Sequence, residues 1–294
     1  MITNLFIRLR PADALNFFFL VVLTILAVMF RNRIEHAPFL ILLYSGLILC
    51  QALLMRFRDR GRLIHWTYHL IFPTISILAI FESLELIVHY INPRDIDPLL
   101  IKLDYLLFRG HPTVMLERIT TPLLTDLSQI AYSSYYFLAI TLGAVLLIRK
   151  DETAFDRSLF LIMFCFYLSY AGYLLFPALG PRFTMHHLQH SELQGLVVFE
   201  PIHELLNKLE GVKRDAFPSG HTGIALTVLF LARQYDRRLF LWFAPFVAAL
   251  IVATVYLRYH YVVDVLAGFV LTALTLLLGD TYYGYREKRI NPDR

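Results

Sequence analysis

Two histidines and an aspartate carry the chemistry that this sequence suggests. His260 and Asp264 stand four residues apart, on one face wherever that stretch is helical. A carboxylate so placed accepts the proton of one ring nitrogen and leaves the other free as a nucleophile. His221 closes the run Phe217-Pro218-Ser219-Gly220-His221. If Pro218-Ser219-Gly220 opens a helix, free backbone N–H groups and the positive end of the helix dipole face outward, which suits a phosphate. Ser219 adds a hydroxyl donor, Gly220 permits close backbone approach, and His221 is placed to protonate a leaving oxygen. Arg182, in Gly180-Pro181-Arg182, and Arg258, two residues before His260, offer the forked charged donors that phosphoryl oxygens prefer. Together they describe in-line attack of His260 on phosphorus, through a covalent phosphohistidine.

The elements that must position these residues are membrane helices. Of 294 residues, 57% are hydrophobic and 17% charged, a balance more apolar than that of soluble domains. The apolar residues come in blocks, and about 20 of them span a hydrocarbon core of ~30 Å. Eight spanning segments are predicted, at 14–30, 38–55, 67–90, 127–148, 158–178, 219–235, 239–257 and 261–280. Arg56, Arg58, Arg60 and Arg62 follow the second. Arg149, Lys150 and Arg157 separate the fourth from the fifth, and Arg233, Arg237 and Arg238 the sixth from the seventh. Arg286, Lys288 and Arg289 close the chain. All fall on one side if both termini are cytoplasmic, and the three motifs then share the extracytoplasmic side. Arg31 and Arg33 are the discordant pair. Arg8 and Arg10 before the first block resemble a signal sequence, but no small-residue cleavage site follows, so a retained helix is expected. The net charge of +4 sits in these short runs and reads as topology, not as a nucleic-acid footprint. Cys50 and Cys165 lie in apolar blocks and provide no disulfide framework.

The fold class expected is an all-α polytopic bundle: two N-terminal helices in 1–63, then a six-helix catalytic core in 64–294. No internal repeat is visible, and a single domain is the economical reading. Residues 91–126 place Leu99, Leu100, Leu103, Leu106 and Leu107 at near-helical spacing, which predicts amphipathic helices at the interface. A second amphipathic helix is predicted from Ile202, Leu205, Leu206 and Leu209. His186, His187 and His190 with Glu192 could suggest a metal site, but a solvated loop is the plainer reading. Glu82, Glu85 and His89 share a helix face, and carboxylates there are costly enough to demand a role. They could pair with an active-site Arg, bond a polyol head group or serve a structural pairing. As a proton relay they would instead suit a proton-coupled transporter, although no pair of broken helices in inverted-repeat positions supports that. Tyr132, Tyr135, Tyr136, Tyr170, Tyr173, Tyr256, Tyr259 and Tyr261 are expected mostly in the interfacial aromatic belt, with a few of them, not ranked by the sequence, lining a head-group cleft.

The motifs over roughly 95–275 resemble those of the type-2 phosphatidic acid phosphatase superfamily, whose relatives include lipid phosphate phosphatases, undecaprenyl pyrophosphate phosphatases and vanadium haloperoxidases. The membrane branch of the inositol phosphorylceramide synthases is the most similar. The resemblance implies that Ser219 and Gly220 bind phosphate, His221 is the general acid, His260 the nucleophile and Asp264 its orienting partner, with no metal or cofactor. Two positions depart from that pattern. Leu175 stands where the superfamily has a Lys, and Thr254 where it has an Arg; the synthase-like branch similarly lacks that Arg. The expected function is a lipid phosphatase or phosphotransferase, acting on a phosphorylated lipid at the extracytoplasmic face of a membrane, with the bacterial inner membrane the expected location. Water as second nucleophile makes it a phosphatase. A lipid or polyol hydroxyl makes it a transferase, with inositol-phosphate transfer the specific alternative.

Overall fold

A computed structural model describes residues 9–209 and 211–290. Among these, seven helices are long and apolar enough to cross a membrane: α1 (Pro11–Met29), α2 (Ala37–Phe57), α3 (Arg62–Leu84), α5 (Pro122–Ile148), α6 (Glu152–Leu175), α9 (Arg237–Tyr256) and α10 (Val262–Arg289). Between them lie α4 (Asp97–Phe108), α7 (Phe199–Leu209) and α8 (Gly220–Tyr235). The chain is an all-α integral membrane protein. Its surface shows why: Phe18, Phe39, Leu42, Phe137, Ile140, Trp242, Val252 and Leu277 are exposed around the bundle. Water would penalise so wide an apolar surface, whereas lipid does not.

The segment predicted to span at 219–235 forms α8, whose 16 residues set it apart from the seven. At 1.5 Å per residue it is about 24 Å long, short of a ~30 Å hydrocarbon core. Helix starts follow local chemistry. Asp151 accepts from Ala154 N at 3.0 Å to cap α6, and Asp236 accepts from Arg238 N and Leu239 N at 2.8 and 3.1 Å to cap α9. Thr121 caps α5 ahead of Pro122.

α6 runs through the centre, with Phe160, Leu161 and Cys165 fully buried. α1 and α2 are tied to it by polar groups as well as by packing. Asn16 donates to Gln51 at 3.0 Å and accepts from Ser76 at 2.8 Å and from Tyr167, all of them buried. Nearby, Arg10 forks onto Asp13 at 3.0 and 3.1 Å and reaches Asp156 at 3.2 Å. Arg8, the other basic residue before this helix, lies outside the described residues. Satisfying such groups internally is what lets them reside in an apolar bundle.

The 91–126 connection is helical, and its α4 has an apolar outer face and buried carboxylates on the inner one. Leu99, Leu106 and Leu107 of α4 are exposed, whereas Asp97 and Asp104, seven residues apart, are buried. Those three leucines lie on the outer face, Leu100 is buried in a cluster with Ala178 and Tyr261, and the carboxylates face the loops of the site.

Candidate active site

The 211–222 segment, the turn after α6 and the junction of α9 with α10 meet in one small cleft. It is lined by Tyr132, Leu179, Arg182, Asp215, His221, Tyr259 and His260. α10 approaches closely enough to bring His260 here because residue 268 is glycine: a Cβ at that point would lie 2.9 Å from the Ser219 carbonyl oxygen and 2.7 Å from Thr222 Cβ. Ser219 N in turn donates to the Asp264 carbonyl at 3.1 Å, joining the two helix starts.

Buried carboxylates shape the surrounding loops. Asp97 accepts from Leu179 N and Gly180 N, both at 2.9 Å, and from the Tyr261 hydroxyl at 2.9 Å. Asp104 accepts from Val262 N and Val263 N at 3.0 and 2.9 Å, at the orphan N–H groups that open α10. Burial raises the Asp104 pKa, against the pull of those two bonds. Asp126 accepts from four consecutive N–H groups, Leu196 to Phe199, and so fixes the start of α7.

At the centre, His260 Nε2 and His221 Nδ1 lie 3.4 Å apart. The other nitrogen of His260, Nδ1, is 2.8 Å from the Ala216 carbonyl oxygen. Asp264 Oδ2 is 3.5 Å from the same nitrogen, and accepts instead from Tyr261 N at 2.8 Å. Burial holds the His260 pKa down to about 4, only partly offset by the Asp215 charge and the Ala216 bond. The ring is therefore neutral near pH 7. A carbonyl oxygen can only accept, so the Nδ1 atom carries the hydrogen and Nε2 presents its lone pair. On the far side of His221, Nε2 pairs with the Tyr132 hydroxyl at 2.9 Å. Tyr132 also stacks on Tyr259, with ring centroids 4.5 Å apart.

Arg182 is the guanidinium in this cleft, half-buried, 5.0 Å above the Tyr259 ring and 3.3 Å from Asn207 Oδ1. Arg258 is adjacent in sequence to the cleft-lining Tyr259 but turns away from the cleft. It has a positive φ of 65° and bonds Gln189, Glu117 and the Ser191 carbonyl at 2.9, 2.9 and 2.7 Å. Its guanidinium clamps the outer loops. Ser219 is fully buried as the cap of α8, its Oγ accepting from Thr222 N at 3.3 Å. The space left by Gly220 is taken by the Tyr173 hydroxyl. Leu175 is exposed, and Thr254 is buried with its carbonyl accepting from Tyr259 N and His260 N at 3.0 Å, so neither supplies a charge.

Several expectations change here. Tyr132, Tyr170, Tyr173, Tyr256, Tyr259 and Tyr261 are buried, not ranged in a belt. Glu85 accepts from Lys213 N at 2.9 Å and Glu82 lies against the Gly211 backbone, while His89 is exposed. Tyr132, Asp215 and Asn207 were not singled out as site residues by sequence. Asp215 directly precedes the Phe217-Pro218-Ser219 turn by two residues, which is the one local signal it carries. His186, His187 and His190 are exposed, and no group of three or more His, Cys, Asp or Glu is set to hold a metal among the described residues.

The sequence profile of the PAP2 superfamily matches residues 100–278, more than half of the chain. The chain belongs to that superfamily. A PA-phosphatase related-family protein of Dictyostelium discoideum is 28% identical over 181 residues. That stretch covers 54% of this chain and 32% of the relative, so the chain spans about a third of the relative's length. No solved structure matches. The matched residues contain the whole of the cleft lining, from Tyr132 to His260, and membership supports phosphatase-type chemistry on a phosphorylated substrate.

Proposed function

We propose that the protein is a metal-independent lipid phosphate phosphatase or phosphotransferase that works through a phosphohistidine on His260. The observation carrying this reading is the pair of facing ring nitrogens, 3.4 Å apart, with His260 Nδ1 tied to a carbonyl. A neutral imidazole in that tautomer is a competent nucleophile without further activation.

In the first step the His260 Nε2–P bond forms as the P–O bond to the leaving group breaks. His221, in its protonated form, gives its Nδ1 proton to the departing alkoxide. Arg182 neutralises charge on the equatorial phosphoryl oxygens, where fixed charged donors act most strongly. In the second step an oxygen nucleophile attacks phosphorus, the N–P bond breaks, and His221 takes the nucleophile's proton. Water yields phosphate; a lipid or polyol hydroxyl yields a transferred ester. Ser219 and Gly220 contribute by building the start of α8, whose positive end faces the phosphate. Asp264 steadies α10 and lends its charge to the phosphorylated ring.

A lipid substrate suits the setting, because the cleft lies at the ends of membrane-spanning helices and Leu175, Phe176 and Phe183, near in sequence to the cleft-lining Leu179 and Arg182, are exposed. The arginine runs support an extracytoplasmic site with both termini cytoplasmic, α8 being counted as the eighth crossing beside the seven longer helices. The test is covalent. Phosphorus-labelled lipid phosphate should label the protein through an acid-labile, alkali-stable bond, and His260→Ala should abolish it. Labelling that persists in that variant would sink the assignment.

A further inference from the structure

The orientation of His260 rests on a backbone atom. Its Nδ1 faces the Ala216 carbonyl at 2.8 Å, whereas Asp264, the side chain expected in that role, stands at 3.5 Å and serves Tyr261 N. The aim of Nε2 therefore depends on where the 211–216 segment holds that carbonyl.

Four contacts among the described residues hold that segment, and at its start the Gly211 backbone N–H donates to Glu82. Ala216 N donates to the Ala178 carbonyl at 3.1 Å. Arg214 forks onto Asp95 at 2.8 and 3.2 Å. Lys213 N donates to Glu85 Oε2 at 2.9 Å. Glu85 and Asp95 are side chains from elsewhere in the chain, as is Glu82 at Gly211, and all three come from residues before 100, ahead of the stretch that matches the superfamily.

We infer that Glu85 and Asp95 are positioning residues for His260, holding the 211–216 segment so that the Ala216 carbonyl keeps the proton on Nδ1. This rests on the phosphohistidine reading for its catalytic consequence. The two anchors are partly solvated, with exposures of 20% and 23% for the Arg214–Asp95 pair. Contacts of that kind add little to stability. Placement is a different matter, since a 1 Å error in a reacting group costs on the order of 10²-fold in rate.

The test compares the full-length protein with Glu85→Ala/Asp95→Ala and with Glu85→Gln, in detergent micelles. Two measurements are made: the single-turnover rate of labelling by phosphorus-32 phosphatidic acid, and the nitrogen-15 shifts of His260, assigned against His260→Ala. The double variant should label about 10- to 100-fold more slowly and show a mixture of ring tautomers, with its melting temperature retained. Glu85→Gln should behave as the parent, because an amide oxygen still accepts the Lys213 N–H. A double variant with the parent's labelling rate and a pure Nδ1–H tautomer overturns the inference. If the parent protein takes no label yet its His260 tautomer mixes on loss of the two carboxylates, the positioning stands and the phosphohistidine reading falls.

Discussion

Removing one hydroxyl from Tyr132 tests the acid role of His221 with little else disturbed. The Tyr132 hydroxyl lies 2.9 Å from His221 Nε2, on the opposite side of the ring from the nitrogen that faces His260. It fixes the ring rotation that points Nδ1 into the cleft. Tyr132→Phe deletes that bond and keeps the stack on Tyr259 at 4.5 Å and the contact with His221 at 4.7 Å. A neutral hydrogen bond is worth about 0.5–1.5 kcal/mol net, which corresponds to about 2- to 12-fold in rate if it acts on the transition state. The loss should depend on the leaving group. An alkyl phosphate needs its alkoxide protonated, so turnover should fall by that factor. p-Nitrophenyl phosphate expels a stable anion and needs no acid, so its rate should hardly move. Steady-state kcat on the two substrates, measured side by side, separates the cases. Equal losses on both, or none on the alkyl ester, would refute the acid role of His221 or its dependence on Tyr132.

Arg182→Lys should weaken phosphate binding by about 10- to 100-fold, since a charge-assisted forked contact of roughly 1.5–3 kcal/mol gives way to a point charge; substrate titration reads it directly. Because burial holds His260 near a pKa of about 4, the nucleophile stays neutral through mildly acid solution, and single-turnover labelling should lose rate to its protonation only near pH 4, not near 6.5. The same shift has a stability consequence: the unfolded chain binds more protons between those values, so folding should weaken as pH falls through that window, as thermal melts at pH 7 and 5 would show. Activity should survive excess chelator and be inhibited by orthovanadate, a five-coordinate phosphorus mimic; loss with chelator and rescue by zinc would move the centre of the mechanism to His186, His187 and His190. Arg258→Ala should leave phosphate affinity little changed while loosening the 183–198 loop to proteolysis and lowering the melting temperature, because the guanidinium serves Glu117 and Gln189 and its loss leaves the Glu117 carboxylate of a nearly buried pair unpaired.

What was legible in the sequence follows the range over which each signal acts. The membrane helices and their all-α class rest on local apolar content, and seven of the eight predicted spans have the length required. The eighth, 219–235, is a helix of nearly the predicted extent, Gly220–Tyr235, and is shorter than the other seven because Ser219 caps its start and the chain turns at Asp236 into the next helix. His221, His260 and Arg182 were legible because short motifs at helix ends carry their chemistry with them, and these are the three that converge on the cleft. Arg258 shows the limit of that inference. Two residues from His260, it is carried away from the phosphate side by a left-handed backbone turn that no motif announces. The tyrosines misled for a related reason, since an aromatic near a helix end reads the same whether it faces lipid or a neighbouring ring.

The partner of His260 illustrates the remaining gap most sharply. A His followed four residues later by Asp predicts a ring nitrogen bonded to a carboxylate only if both lie within one helix. Here His260 precedes the helix, with Tyr261 as the cap and Val262 the first helical residue. Asp264 therefore turns back to the cap, accepting Tyr261 N–H at 2.8 Å, and a carbonyl from 44 positions earlier in the chain takes the imidazole proton. No spacing rule finds such a contact, because it depends on how Gly268 lets α10 approach α8 and on how Glu85 and Asp95 hold the 211–216 segment. The division of labour has a chemical consequence for Asp264. Replacing it with Asn keeps an acceptor for Tyr261 N–H and leaves the Ala216 bond intact, so the tautomer should survive, and only the stabilisation of the phosphorylated imidazolium by a nearby charge should be lost. Asp264→Asn should then slow phosphoenzyme formation while leaving the nitrogen-15 signature of the Nδ1–H tautomer unchanged. A tautomer that flips in that variant would return the orienting role to Asp264.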